Sequence, residues 1–303
     1  MRVHVFGNGC RDLTYRVPAL PMPGETVLAD RPTSEPGGKG LNQAIAARRI
    51  GARTRLLAII GQDEAGARLR DLMVAEDLPT DGLVDKALRT DTSHIFVDSA
   101  GENTVVTVAP CAAAASRADF AEALNQLAAG DIVLLQGNFD GLLSAEIMRC
   151  ARDRRCRVVL NASPLWKDVQ RPLALADVLL VNRQEATALT GVRDPLEALG
   201  SLNAPVAIVT AGADGAFLRN GVTAIVQVPA ARVAARNTTG AGDVLAGSLA
   251  GALALGLAVP QALQVAVTLA ADKVTREGVI SGFPSAEVAR SLIAEHRHAA
   301  ASR

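Results

Sequence analysis

The 303-residue sequence carries no excess of either charge: 31 Lys and Arg stand against 31 Asp and Glu. Without a basic surplus it has little with which to neutralise a phosphate backbone, so nucleic acid is not an expected partner. Cysteine is scarce and dispersed. Cys10, Cys111, Cys150 and Cys156 form no CxxC pair, and His4, His94, His296 and His298 lack a metal-ligand spacing, which excludes a readable zinc site and leaves the thiols reduced. No apolar run reaches transmembrane length, and MRVHVFGNG enters a strand pattern without the charged and apolar regions of a signal peptide. The expectation is a cytoplasmic protein with no membrane contact.

Aromatic residues are only 3% of the chain while hydrophobic residues reach 49%. A core made mainly of Ala, Val, Leu and Ile suits helices layered on a sheet. Strand and helix patterns alternate from the first residues, and runs such as DIVLLQ and DVLLVN are continuously apolar between their polar ends, as strands covered on both faces must be. Three segments break the alternation: 13–17, 26–31, and HIFVDSAGENTVVTV at 94–108, where GEN reads as a hairpin turn. They read as a small separate sheet whose strands lie within 12–35 and 92–109, inserted into one domain spanning 1–303. Such a flap could cover a ligand.

Two glycine-rich segments precede helix patterns. In NTTGAGD, 237–243, Gly240, Ala241 and Gly242 leave backbone N–H groups exposed at a helix start, a site suited to an anion. Close helix packing would also explain the glycines. Asp243 tips the balance, because a carboxylate beside an anion hole repels the anion unless it serves as a general base for a hydroxyl attacking a phosphoryl group. In EPGGKGLNQAIAARRIGA, 35–52, Gly37, Gly38 and Gly40 bring backbone close while Lys39 and Asn42 offer polar groups, a combination suited to a polyol. Neither segment is a Walker loop, since Gly40 follows Lys39 where Ser or Thr is required, and Gly7 and Gly9 lack the third Rossmann glycine, Asp12 standing in its place.

Together the two segments resemble the signatures of the ribokinase-like carbohydrate kinases, the PfkB family, and PGET at 23–26, GQDEAG at 61–66, NRQE at 182–185 and TAGADG at 210–215 resemble further family segments. The resemblance implies an α/β fold with a central, mostly parallel sheet sandwiched by helices and a small discontinuous β-sheet lid. It implies ATP-dependent phosphorylation of a sugar hydroxyl with Mg²⁺. Asp243 would be the base and Gly240, Ala241 and Gly242 the anion hole; Asp12, Gly38, Lys39 and Asn42 would bind the acceptor; Asn182, Glu185, Thr210, Gly212 and Gly215 would serve ATP and magnesium. Asn182 and Glu185 read equally well as a helix cap with its capping-box partner.

Three positions depart from the pattern. Cys10 stands where ribokinases carry an asparagine, Asn138 replaces an expected glutamate, and Asn237 replaces the aspartate of a monovalent-cation site that would also involve Thr239 and Gly278. The first two argue against ribose; the third leaves potassium dependence open. A nucleoside kinase of the same family is the alternative, a non-catalytic sugar- or nucleotide-binding regulator a further one. Lid-edge pairing predicts a homodimer through the β lid.

Overall fold

A computed structural model describes residues 1–166, 170–221 and 225–301. Its strands are β1 Arg2–Phe6, β2 Cys10–Arg16, β3 Thr33–Gly37, β4 Arg53–Gly61, β5 Leu83–Lys86, β6 Asp91–Val97, β7 Asn103–Val108, β8 Ile132–Gln136, β9 Arg157–Asn161, β10 Val178–Asn182, β11 Val206–Thr210, β12 Ala216–Asn220 and β13 Val226–Val228. Nine of them form one sheet in the order β13-β12-β11-β10-β9-β8-β1-β4-β5. Pairing is parallel from β11 to β5, with β12 and β13 added antiparallel at one edge.

The period of two sorts side chains to the two faces. Val3, Val5, Ile132 and Leu134 pack with Leu41, Ile45, Val244 and Leu249 on one side. Phe6, Val133 and Leu135 pack with Phe120, Ile147 and Met148 on the other. Every residue of β8 is buried, which is why DIVLLQ shows no alternation. The chain leaves β1 toward β4 and β5 and later places β8 on the other flank, so β1 and β8 border the switch point where open α/β sheets leave a crevice.

The smaller sheet has the order β3-β2-β6-β7. β2 is antiparallel to β3 and parallel to β6, and β6 is antiparallel to β7. The segment 26–31, expected as a strand, is not one: the strand lies at Thr33–Gly37. Pro18, Pro21, Pro23 and Pro32 punctuate the preceding stretch, where each removes a ladder donor, and 22–26 is exposed. The remaining lid strands begin or end within two residues of the expected limits. The run AIVQV at 224–228 reads from the sequence as a short strand; residue 224 lies outside the described residues and Val226–Val228 is β13. Among the described residues no helix is long and apolar enough to cross a membrane.

Two helices matter most, Lys39–Arg49 and Ala241–Ala254. They meet where Gly247 and Gly251 have no side chains. A Cβ on Gly247 would lie 2.2 Å from the Gln43 carbonyl oxygen and 2.8 Å from Ala46 Cβ, and one on Gly251 would lie 2.6 Å from Ile50 Cδ1. Gly247→Ala should therefore destabilise by about 1–3 kcal/mol through overpacking, read from the denaturant midpoint. Gly200→Ala, in the helix Pro195–Ser201 with open space at its Cβ position, should be neutral or stabilising by up to about 1 kcal/mol.

Candidate active site

The close helix contact brings the two glycine segments together. Asp243 is in the first turn of the Ala241–Ala254 helix and only 6% exposed. Its Oδ2 accepts from Asn42 Nδ2 and its Oδ1 from Gln43 Nε2, both at 2.9 Å. Gln43 Oε1 in turn accepts from Gln136 Nε2 at 2.8 Å, so the carboxylate is tied to the end of β8. Asn42 Oδ1, Gln136 Oε1 and Asn138 Oδ1 are buried acceptors without partners among the described residues. Unmatched acceptors of this kind suit the hydroxyl protons of a polyol.

Gly240 caps the helix at φ 83°, a left-handed conformation that glycine adopts without strain. Ala241 N–H donates to the Thr238 carbonyl at 3.2 Å, whereas the N–H groups of Gly242 and Asp243 have no acceptor among the described residues. Gly242 is exposed, with nothing within 4 Å of its Cβ position. Open donors at the positive end of a helix are suited to an anion. Lys39 opens the other helix, following Gly38 at φ 96°, where a Cβ would lie 2.9 Å from Cys10 N and 3.0 Å from the Asn8 carbonyl oxygen.

The inner face of the lid supplies Cys10 and Asp12 of β2 and Ser93 of β6. The Cys10 thiol donates to Asp12 Oδ1 at 2.8 Å and lies 3.3 Å from Ser93 Oγ, which is 3.1 Å from Thr107 Oγ1. Burial first, then the charge of nearby Asp243, raises the Asp12 carboxyl to about 6, against the opposing hydrogen bonds of Cys10, Ser93 and the Gly38 N–H. Burial and the Asp12 charge push the Cys10 thiol well up, so it remains a donor. The lid is seated on two loops, 237–242 and 276–282: Asn103 Nδ2 donates to Thr239 Oγ1 at 3.2 Å, Thr238 Oγ1 to the Gly101 carbonyl at 3.4 Å, and Ser281 Oγ to Glu35 Oε1 at 3.0 Å.

Asn182 and Thr210 are register partners at the C-terminal ends of β10 and β11. Asn182 and Glu185 form a complete capping box, each side chain accepting from the other's backbone N–H at 2.8 Å. The cap occupies Glu185 Oε2 and leaves Oε1 open, a donor set that fits a magnesium ion holding most of its waters and phosphate ligands. Gly212 follows Thr210 at φ 58° with open space beside it, while Gly215, at φ 84°, lies against the Val228 carbonyl. Among the described residues no three His, Cys, Asp or Glu side chains converge as a metal cage.

The positions expected for a monovalent cation are held by protein donors. The Asn237 carbonyl accepts from Lys273 Nζ at 2.9 Å, its Oδ1 accepts from Thr239 N–H at 2.9 Å, and its Nδ2 donates to the Gly278 carbonyl at 3.4 Å. This donor set does not fit a potassium ion. Lys273, Gln43, Gln136 and Ser93 were not expected from the sequence. Gln43, adjacent to Asn42 in GLNQA, carried the one available signal, a second amide where the helix turns into the core.

The model of the pfkB family carbohydrate kinases matches residues 2–286. The chain is 30% identical to the ribokinase of Haemophilus influenzae over 93% of its length and 94% of that protein, and 30% identical to the ribokinase of Bacillus subtilis over 95% and 98%. It superposes on the crystal structure of ribokinase from Thermotoga maritima with a TM-score of 0.85 at 28% identity, covering 97% of this chain and 99% of that one.

Asp12 supplies a direct check on the inner lid. Between the unfolded value of 3.8 and about 6 the folded chain keeps a proton that the unfolded chain has lost, so this carboxyl lowers stability as pH rises through that window. By carbon NMR Asp12 should titrate near pH 6, and Cys10→Ala should move it higher by removing a bond to the charged form. An unchanged titration in the variant would contradict the thiol donor.

Proposed function

The chain belongs to the pfkB family of carbohydrate kinases, and we propose that it transfers the γ-phosphoryl group of ATP to a sugar hydroxyl with Asp243 as general base. The observation that carries the base assignment is the clamp: a carboxylate at a helix N-terminus, both oxygens held by Asn42 and Gln43, beside two open N–H donors. Amide donors orient the carboxylate without neutralising its charge, leaving it able to accept the hydroxyl proton. The Gly242 and Asp243 N–H groups face the charge that develops on the transferred group, and Lys39 adds a mobile positive charge. Asp12, with Asn42, holds the acceptor. Glu185, near Asn182, would hold magnesium together with the ATP phosphates, and the ion would supply charge neutralisation there. The seated lid excludes water from the transfer.

A sugar is favoured over a nucleoside as acceptor. The aromatic residues of the lid, Tyr15, His94 and Phe96, stack on one another at centroid distances of 5.9 and 5.2 Å. They alternate with Asp12 and Ser93 along their strands and so lie on the opposite face, where they give a nucleobase no platform. With Leu13, Val106 and Val108 they form an apolar outer face, suited to the same face of a second lid in a homodimer. Four free cysteines suit a reducing cytoplasm.

Acceptor-stimulated ADP release over a panel of ribose, 2-deoxyribose, hexoses, ketoses, sugar acids and nucleosides tests the reading; stimulation by no member of the panel would reject it. Asp243→Asn should lower kcat by roughly 10² to 10⁴ fold with nucleotide affinity retained. Val106→Glu should yield a monomer by light scattering.

A further inference from the structure

Lys273 has no role in the chemistry described above, yet it is a fully buried lysine, 0% exposed. It lies in the last turn of the helix Val259–Val274, where a cation favours the helix dipole, but an exposed lysine would serve the dipole without losing its hydration. Were stability its only purpose, a methionine of similar length would fill the space at lower cost, since burying an ammonium forfeits hydration that one hydrogen bond does not restore. Its Nζ points instead at the carbonyl of Asn237, the first residue of the loop that ends in the anion site. That loop is fastened to the end of the lysine's own helix, the N–H groups of Arg236 and Asn237 both donating to the Val274 carbonyl at 2.7 and 3.2 Å.

We propose that the Lys273 ammonium is a built-in monovalent cation, fixing positive charge behind the loop 237–242 so that nucleotide binding needs no added potassium. The inference rests on the kinase reading. An ammonium and a potassium ion carry the same charge and are both held by carbonyl oxygens, and here the carbonyl is already occupied by the protein's own cation. Lys273 is a positioning residue: it acts on phosphate through the loop and the field it adds there. Burial lowers its pKa to about 8, against the charges of Glu277 and Glu35, which face it from the following loop and from β3. Asp272 and Arg276 nearby are paired with each other, and Arg16 with Glu277.

The test is MgADP affinity by calorimetry, which needs no acceptor sugar. For the native chain, replacing tetramethylammonium chloride by potassium chloride at equal ionic strength should change Kd by less than about twofold, whereas tightening of about fivefold or more would overturn the proposal. Lys273→Met, which fills the same space without the charge, should weaken binding about tenfold in tetramethylammonium, while Lys273→Arg should stay near native. A Met variant that binds as the native chain does in tetramethylammonium overturns it. Native affinity should fall as pH rises through about 8, a limb missing in Lys273→Arg; a native profile flat to pH 9.5 is a second overturning result. The fall is separable from unfolding by its sign. Between about 8 and the unfolded value of 10.5 the unfolded chain binds more protons at this group, so its contribution makes the fold more stable as pH rises. The native-chain measurements stand even if a variant fails to fold. Absence of MgADP binding in every buffer would reject the kinase reading as well, whereas potassium-tightened binding rejects this inference alone.

Discussion

The contact between the helices Lys39–Arg49 and Ala241–Ala254 is the constraint on which the site depends. Asn42 and Gln43 reach Asp243 only because Gly247 and Gly251 let the two backbones approach without side chains between them. Each helix begins at a glycine of positive φ, so each start is fixed in direction as well as in place. The side chains proposed for acceptor binding and proton removal thus lie on two helices packed directly against each other. The same contact carries the carboxylate through Gln43 to Gln136 at the switch point of the large sheet.

The site also concentrates buried charge. Asp12, Asp243 and Lys273 are each at most 6% exposed, and for two of them burial moves the pKa toward the neutral form. Such groups work against stability. The surrounding apolar layers, Val3 to Val244 on one face and Phe6 to Phe217 on the other, offset that cost, which leaves the charged residues free to be arranged for chemistry.

Much of this was legible in the sequence, for identifiable reasons. The helix start at Ala241 falls where the glycines of NTTGAGD place it. The short β5, Leu83–Lys86, was missed because its four residues LVDK carry no periodicity, and 26–31 misled because β-branched and apolar letters outweighed the flanking prolines. Asp243 stood out through its unlikely surroundings. Lys273 did not, since a lysine near a helix end reads as ordinary dipole compensation until its burial is seen. Gln136 read as the polar end of a strand; only the fold makes it a partner of Gln43. The family assignment agrees with the expected α/β fold and kinase class, while the base, the acceptor and the lid dimer rest on chemical argument.

The clasp between Glu35 and Ser281 has a mechanical consequence. Only Pro36, Gly37 and Gly38 separate Glu35 from Lys39, a distance of roughly 13 Å even if fully extended. The lid is therefore a lever with a very short arm, without slack between its edge and Lys39. Any swing large enough to release a sugar must part Glu35 from Ser281 and turn the chain at Gly38. If Lys39 serves the phosphates as proposed, opening would carry it away from them in the same stroke.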